Sequence, residues 1–244
     1  MKITVIGAGA IGGNLARKLS TAGHDVQVAV ARGPENVPAE VLESGARAVT
    51  PDTSVQDRDV VILAIPFDRV PQLAELFASV PAETMVIDTS NYYPHLNGHI
   101  DGLDNEQVES LYNAEQLGRP LVKAWNAALA ATQQTKGVPA GTPGRIAVPV
   151  AADSDEARRV AMRLVDDTGF DPFDAGRLAD SWRQQPGTPA YCTELNVKEL
   201  EAALAAADRA KAPRTRDDLM ERFAAFTSAP TLEEVVEMNR SAHH

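Results

Sequence analysis

The stretch ITVIGAGAIGGNLARKL, Ile3 to Leu19, sets a short β-rich run directly against glycines at positions 7, 9, 12 and 13, and a helical pattern follows at once. Two readings fit it: a dinucleotide resting its pyrophosphate on the helix N-terminus, or a tight turn that binds nothing. Gly7, Gly9 and Gly12 have the spacing G-x-G-x-x-G, with a strand before and a helix after, which is the context the dinucleotide reading requires. The first glycine permits the tight turn, the second lets a pyrophosphate approach the backbone, and the third lets helix and strand pack closely. The first helical N–H groups, with Ala10 and Ile11 in that turn, then meet the phosphates.

The end of the second strand selects the dinucleotide. An NAD site places an Asp or Glu there, roughly 20 residues past the loop, to hold the ribose hydroxyls. Here the segment VQVAVARGPEN, residues 26–36, has no acid before Glu35, and Arg32 follows Ala31. A guanidinium at that place grips a 2′-phosphate in bidentate fashion, so NADP(H) is the expected cofactor; the alternative is a solvated loop arginine.

Further β-rich runs at Val26–Val30, Val60–Ile65, Thr84–Asp88, Leu121–Lys123, Arg145–Val150 and Phe170–Phe173 alternate with helical patterns. Leu73, Leu76, Phe77 and Val80 have helical core spacing. The alternation predicts an α/β fold, a Rossmann doubly wound parallel sheet covered by helices on both faces. Residues 1–175 form the expected NADP-binding domain and 176–244 a smaller C-terminal helical region that completes an acceptor pocket or an oligomer interface. In that tail, Leu195 to Ala210 reads as a helix. Thr215 with Asp218 and Thr231 with Glu234 have N-terminal capping spacing, and RQQPGTPAY, Arg183 to Tyr191, reads as a loop. Leu219, Phe223 and Phe226 form an apolar stripe that the sheet domain or a second subunit must cover, so a homo-oligomer, in the simplest case a dimer, is expected.

In a doubly wound sheet the ligand lies beyond the carboxyl ends of the strands. Three ends are candidates for the nicotinamide side. LAIPFD stops at Pro66 and leaves backbone groups at Ala64 and Ile65 available. VIDTSNYYP delivers Ser90, Asn91 and Tyr92, and VKAWNA delivers Lys123, Trp125 and Asn126. Asn91, Asn126 and Tyr92 are the candidate catalytic residues, with Asn91 and Asn126 also touching cofactor. Each has a plainer alternative: Asn91 as a turn former, Trp125 as core, and Lys123 as a structural or solvated lysine. His95 and His99 stand four apart, but Pro94, Asn97 and Gly98 break the helix a metal pair needs, so no metal is expected. Ser90 lacks a nucleophile-elbow setting, and Cys192 reads as a small buried residue.

The 244 residues carry a net charge of -11 spread along the chain, which argues against nucleic acid or an anionic membrane as partner. No apolar run is long enough to span a bilayer and the start shows no signal-peptide pattern, so a cytoplasmic location is expected. A lone cysteine fits a reducing compartment. His243 and His244 read as remnants of a tag.

The segments MKITVIGAGAIGGNLARKLSTAGHDV, VAVARGPE, DVVILAIPFDRV, MVIDTSNYYP, LVKAWNAA and VPVAADSDEARRVAMRLVDDTGFDPFDAG together resemble the NADPH-dependent reductases of the deazaflavin coenzyme F420, whose nucleotide domain is shared with membrane-bound ferric reductases. The resemblance covers about residues 1–178. It implies cofactor contacts at Gly7, Gly9, Gly12 and Arg32, and a deazaflavin or flavin as the small-molecule redox acceptor. The family commonly has a hydroxyl residue before that arginine where this chain has Ala31, and its members are shorter, without the added tail. Such an acceptor needs positioning rather than a strong acid or base. Two other readings remain open: a carbonyl or imine reductase with Tyr92, Tyr191 or Lys123 as proton donor, and a non-catalytic NADP(H) sensor acting through its tail.

Overall fold

The computed structural model describes residues 1–105 and 107–243. Eight strands form one sheet: β1 Lys2–Ile6, β2 Asp25–Ala29, β3 Arg47–Val49, β4 Val60–Leu63, β5 Met85–Asp88, β6 Val122–Lys123, β7 Ala147–Ala152 and β8 Asp171–Asp174. Their order is β3-β2-β1-β4-β5-β6-β7-β8, all parallel except the β6–β7 pair. Strand order therefore reverses between β1 and β4, where a doubly wound sheet opens its ligand crevice. Register keeps the carboxyl ends level: Ile6 stands opposite both Ala29 and Leu63, Leu63 opposite Asp88, and Asp88 opposite Lys123.

The longer helices are α1 Ala10–Thr21, α2 Glu109–Leu117, α3 Asp155–Asp167, α4 Val197–Ala206, α5 Ala212–Ala224 and α6 Leu232–Ser241. Every residue of β4 is buried, as a strand covered on both faces requires. One face packs Leu15, Leu19, Val41, Trp125, Leu164 and Phe170, and the other Val55, Val70, Phe77, Val80 and Leu117. Trp125 is core: its indole N–H donates to Thr168 Oγ1 at 3.2 Å. β3 escaped the sequence reading because it is a three-residue edge strand with no buried residue.

The sheet ends at Asp174, and the tail folds back on it through a 3₁₀ segment, Leu178–Gln184. Helix α4 starts later than the sequence suggests, at a capping box of Asn196 with Glu199. The Thr231–Glu234 capping box opens α6 as expected. Thr215 does not cap: its N–H donates to Lys211 O inside α5. That helix begins at Ala212 instead, because Pro213 is pre-set for a first turn and Asp208 O takes the N–H groups of Lys211 and Ala212. Of the apolar stripe, Leu219 is buried while Phe223 remains 42% exposed, edge-on to Phe226. Among the described residues no helix is long and apolar enough to cross a membrane.

Candidate active site

The three motif glycines have three different surroundings. Gly7 sits at φ +104°, and a Cβ there would run into the Ala64 carbonyl. At Gly12 a Cβ would overlap the Gly7 carbonyl, 2.9 Å from its carbon and 3.0 Å from Ala64 Cβ. At Gly9 it would meet nothing within 4 Å. The outer two glycines thus let β1, α1 and the end of β4 close up, and the middle one faces open space at the N-cap of α1. The first helical hydrogen bond is Gly13 N–H to Gly9 O at 2.8 Å, so the N–H groups of Ala10, Ile11 and Gly12 have no intrahelical partner. No acid stands in that first turn. Open space, free donors and the positive end of a helix fit a pyrophosphate.

Beyond β2, Ala31 and Arg32 are exposed, and Arg32 makes no ion pair with any described residue. Asn36 Nδ2 donates to Arg32 O at 2.7 Å and to Glu35 Oε1 at 3.0 Å, which shapes the turn and folds the Glu35 carboxylate over Gly33.

At the ends of β5 and β6 the two asparagines meet. Asn126 Nδ2 donates to Asn91 Oδ1, and Asn91 Nδ2 to Asn126 O, each at 3.0 Å. The tail enters the same network: Gln184 Nε2 donates to Asn126 Oδ1 at 2.8 Å, and Asn126 Nδ2 to Gln184 O at 2.9 Å. Asn91 Nδ2 also reaches Tyr191 OH at 3.3 Å, and Tyr93 OH donates to Tyr191 OH at 2.9 Å. Burial pushes both phenols well above their ordinary range and keeps them protonated. Tyr93 and Gln184 were missed in the sequence. Tyr92 turns elsewhere: its hydroxyl donates to Gly98 O and Asp104 Oδ1 and accepts from Ile100 N–H, with its ring against Phe67.

Of the two plain readings of Lys123, structural and solvated, the structure has the structural one. The Lys123 ammonium is fully buried, 2.9 Å from the equally buried Asp88, and also bonded to Ser90 O. Asp88 further accepts from Ser90 N–H and Oγ and from Asn113 Nδ2. The Ala64 N–H, expected to be available, donates to Ile6 O, while Pro66 is exposed and Ile65 half-buried beside it. His99 pairs with Asp104 at 3.0 Å, and the His95 ring packs edge-on to Tyr93. Cys192 is buried and its thiol is pushed up to about 12, mainly by desolvation.

Behind the two tyrosines lies a cavity of about 240 Å³ between strand-end loops and tail, lined by Tyr93, Leu129, Tyr191, Leu219, Met220 and Met238 among others. Leu96, 68% exposed, and Phe223 also line it.

A profile of the coenzyme F420-dependent NADP oxidoreductases matches residues 2–92, from β1 through Asn91 and Tyr92. Protein YjhV of Escherichia coli strain K12 is 40% identical over 104 residues, which span 43% of this chain and 76% of that protein. The chain belongs to the coenzyme F420-dependent NADP oxidoreductase family. As a member of that family it is an NADP-dependent oxidoreductase. Among solved structures, protein SMa0349 of Sinorhizobium meliloti is 29% identical, with a TM-score of 0.68 over 80% of this chain and 95% of that one. A candidate F420-dependent NADP reductase from Arthrobacter sp. FB24 covers 94% of this chain and 96% of its own at TM-score 0.61; at 18% identity that likeness shows the fold alone.

Proposed function

We propose that the protein passes a hydride between NADPH and a planar redox heterocycle, a deazaflavin such as coenzyme F420 or a flavin. The observation that carries this reading is the chemistry of the groups at the ends of β5 and β6. Asn91, Asn126, Gln184, Tyr93 and Tyr191 are neutral amides and protonated phenols, and the Lys123–Asp88 ion pair beside them is sealed from solvent. Such groups orient ring carbonyls and nitrogens but move no proton readily at neutral pH, which suits an acceptor that needs none from a side chain.

In this reading Gly9 and the free N–H groups of α1 hold the pyrophosphate, and Arg32 holds the 2′-phosphate and so selects NADPH. Bound there, the nicotinamide supplies the hydride. Pro66, Asn91 and Asn126 bound the nicotinamide side, and the Arg183 to Tyr191 loop, anchored through Gln184, walls the acceptor from water. A second reading, reduction of a small carbonyl or imine, draws on the Tyr93–Tyr191 pair, two protonated phenols joined by one hydrogen bond. The test is an acceptor screen with NADPH that includes deazaflavin, FMN, FAD, ferric chelates, quinones, small carbonyls and imines. Turnover confined to the carbonyls or imines replaces the first reading with the second.

A further inference from the structure

The cavity of about 240 Å³ behind Tyr93 and Tyr191 is built largely from the tail. Leu219 and Met220 of α5 and Val235 and Met238 of α6 form one side, and Leu129, in the loop after β6, faces the same space. Its shape is set by backbone contact. Gly187 sits at φ +84°, and a Cβ there would run into Ala212 O and Arg216 N, so only glycine lets the 183–191 loop close on α5. Of the four large hydrophobics left exposed among the described residues, two, Leu96 and Phe223, line this one cavity. Apolar surface gathered at one opening marks a place where an apolar partner binds.

The polar groups of the wall decide the charge of the guest. The Tyr93 and Tyr191 hydroxyls bond to each other at 2.9 Å, and Asn239 Nδ2 donates to Val235 O within α6 at 2.8 Å. Arg216 pairs with Asp217 at 2.8 Å, its guanidinium over the Tyr92 ring, which is not part of this wall. Each already has a partner inside the protein, so a charged guest would lose its water and gain no counter-ion, whereas an uncharged apolar one has no such cost. Size narrows the choice further. An apolar cavity of about 150 Å³ holds one benzene ring. The 240 Å³ here has room for two fused rings, against which the thioethers of Met220 and Met238 adapt. We infer that this cavity is a binding site for one uncharged aromatic molecule of two fused rings. Neither Asn91 nor Asn126 lines it, so the site stands apart from the hydride-transfer reading, and binding rather than turnover tests it. A guest there touches the strand-end loops as well as α5 and α6, so its binding fastens the tail to the sheet domain.

The experiment is titration of the full chain with naphthalene, followed by the fluorescence of the probe and by thermal unfolding, with naphthalene-2,6-dicarboxylate as the charged counterpart. One naphthalene is expected to bind per chain, half-saturating below its aqueous solubility and raising the unfolding midpoint. The dicarboxylate is expected to bind at least about tenfold more weakly, since one of its charged ends must enter the cavity. Met220→Trp and Val235→Phe fill the space from α5 and from α6, and each should weaken naphthalene at least about tenfold while unfolding remains cooperative. Light scattering of wild type and Phe223→Ser gives the oligomeric state in parallel. No saturable binding of naphthalene, equal binding of the dicarboxylate, or wild-type affinity in both filled variants overturns the proposal. A dimer that Phe223→Ser splits, with no naphthalene bound, overturns it too and makes a second copy of the chain the occupant.

Discussion

Valine at Gly9 and alanine at Gly12 should fail in opposite ways, although the two glycines share one motif. Gly9 has ordinary extended backbone, φ -70° and ψ -170°, and open space beyond its Cα, so the Gly9→Val fold loses only N-cap preference. That is about 1 kcal/mol, a melting shift of roughly 2–4 °C for a chain of this size. The new side chain fills the space a pyrophosphate would occupy. Losing two charge-assisted hydrogen bonds at about 1.5 kcal/mol each removes about 3 kcal/mol, so NADPH should bind at least about 100-fold more weakly. Gly12→Ala sets its methyl against the Gly7 carbonyl and Ala64, which are backbone and packed side chain and cannot swing aside. Overpacking of that kind costs about 1–3 kcal/mol or more, with a correspondingly larger melting shift. Differential scanning fluorimetry with and without NADPH, together with fluorescence titration, separates the two. Gly9→Val binding NADPH like wild type would refute the assignment of the loop.

Arg32→Ala should weaken NADPH by at least about tenfold, about 1.4 kcal/mol, and leave NADH nearly untouched; equal losses in paired titrations would remove Arg32 from the 2′-phosphate. Lys123→Met strands the Asp88 carboxylate in the core, so calorimetry should show about 3–5 kcal/mol of lost stability, a fall of roughly 6–20 °C; a change under 1 kcal/mol would contradict a buried ion pair. Because desolvation pushes the Cys192 thiol up to about 12, iodoacetamide at pH 8 should leave the native protein unmodified and label it only after unfolding. Tyr191→Phe keeps the ring and loses one hydroxyl of the network, so hydride transfer to a deazaflavin or flavin should stay within about tenfold; a loss near a hundredfold, with a small carbonyl as substrate, would favour the acid-assisted reading.

The nucleotide loop was legible because its constraints are local: Gly7 and Gly12 are forced by contacts with β4, and Gly9 by the space it must leave. The strands were legible because burial on both faces makes them continuously apolar, and β3 was not because an edge strand of three residues needs no such run. The acceptor side was harder. Tyr92 and Tyr93 are neighbours in an extended segment and point apart, and which one faces the asparagines depends on Phe67 and Leu103 claiming the other. Gln184 reaches Asn126 across 58 positions of sequence, a pairing set by how the tail packs rather than by any pattern near either residue. Lys123 read as either structural or solvated, and the sequence does not separate the two because it shows a charge at a strand end but not the Asp88 beside it.

The account rests most directly on where the hydride goes. A single-turnover experiment with NADPH deuterated at the transferable C4 position, mixed anaerobically with the protein and an oxidised deazaflavin, reads this out by mass spectrometry of the reduced product. The account predicts enzyme-dependent transfer of the label to the deazaflavin, lost in Gly9→Val. NADPH that stays labelled and unconsumed with the deazaflavin and with FMN or FAD, while a small carbonyl or imine takes up the deuterium, would contradict it.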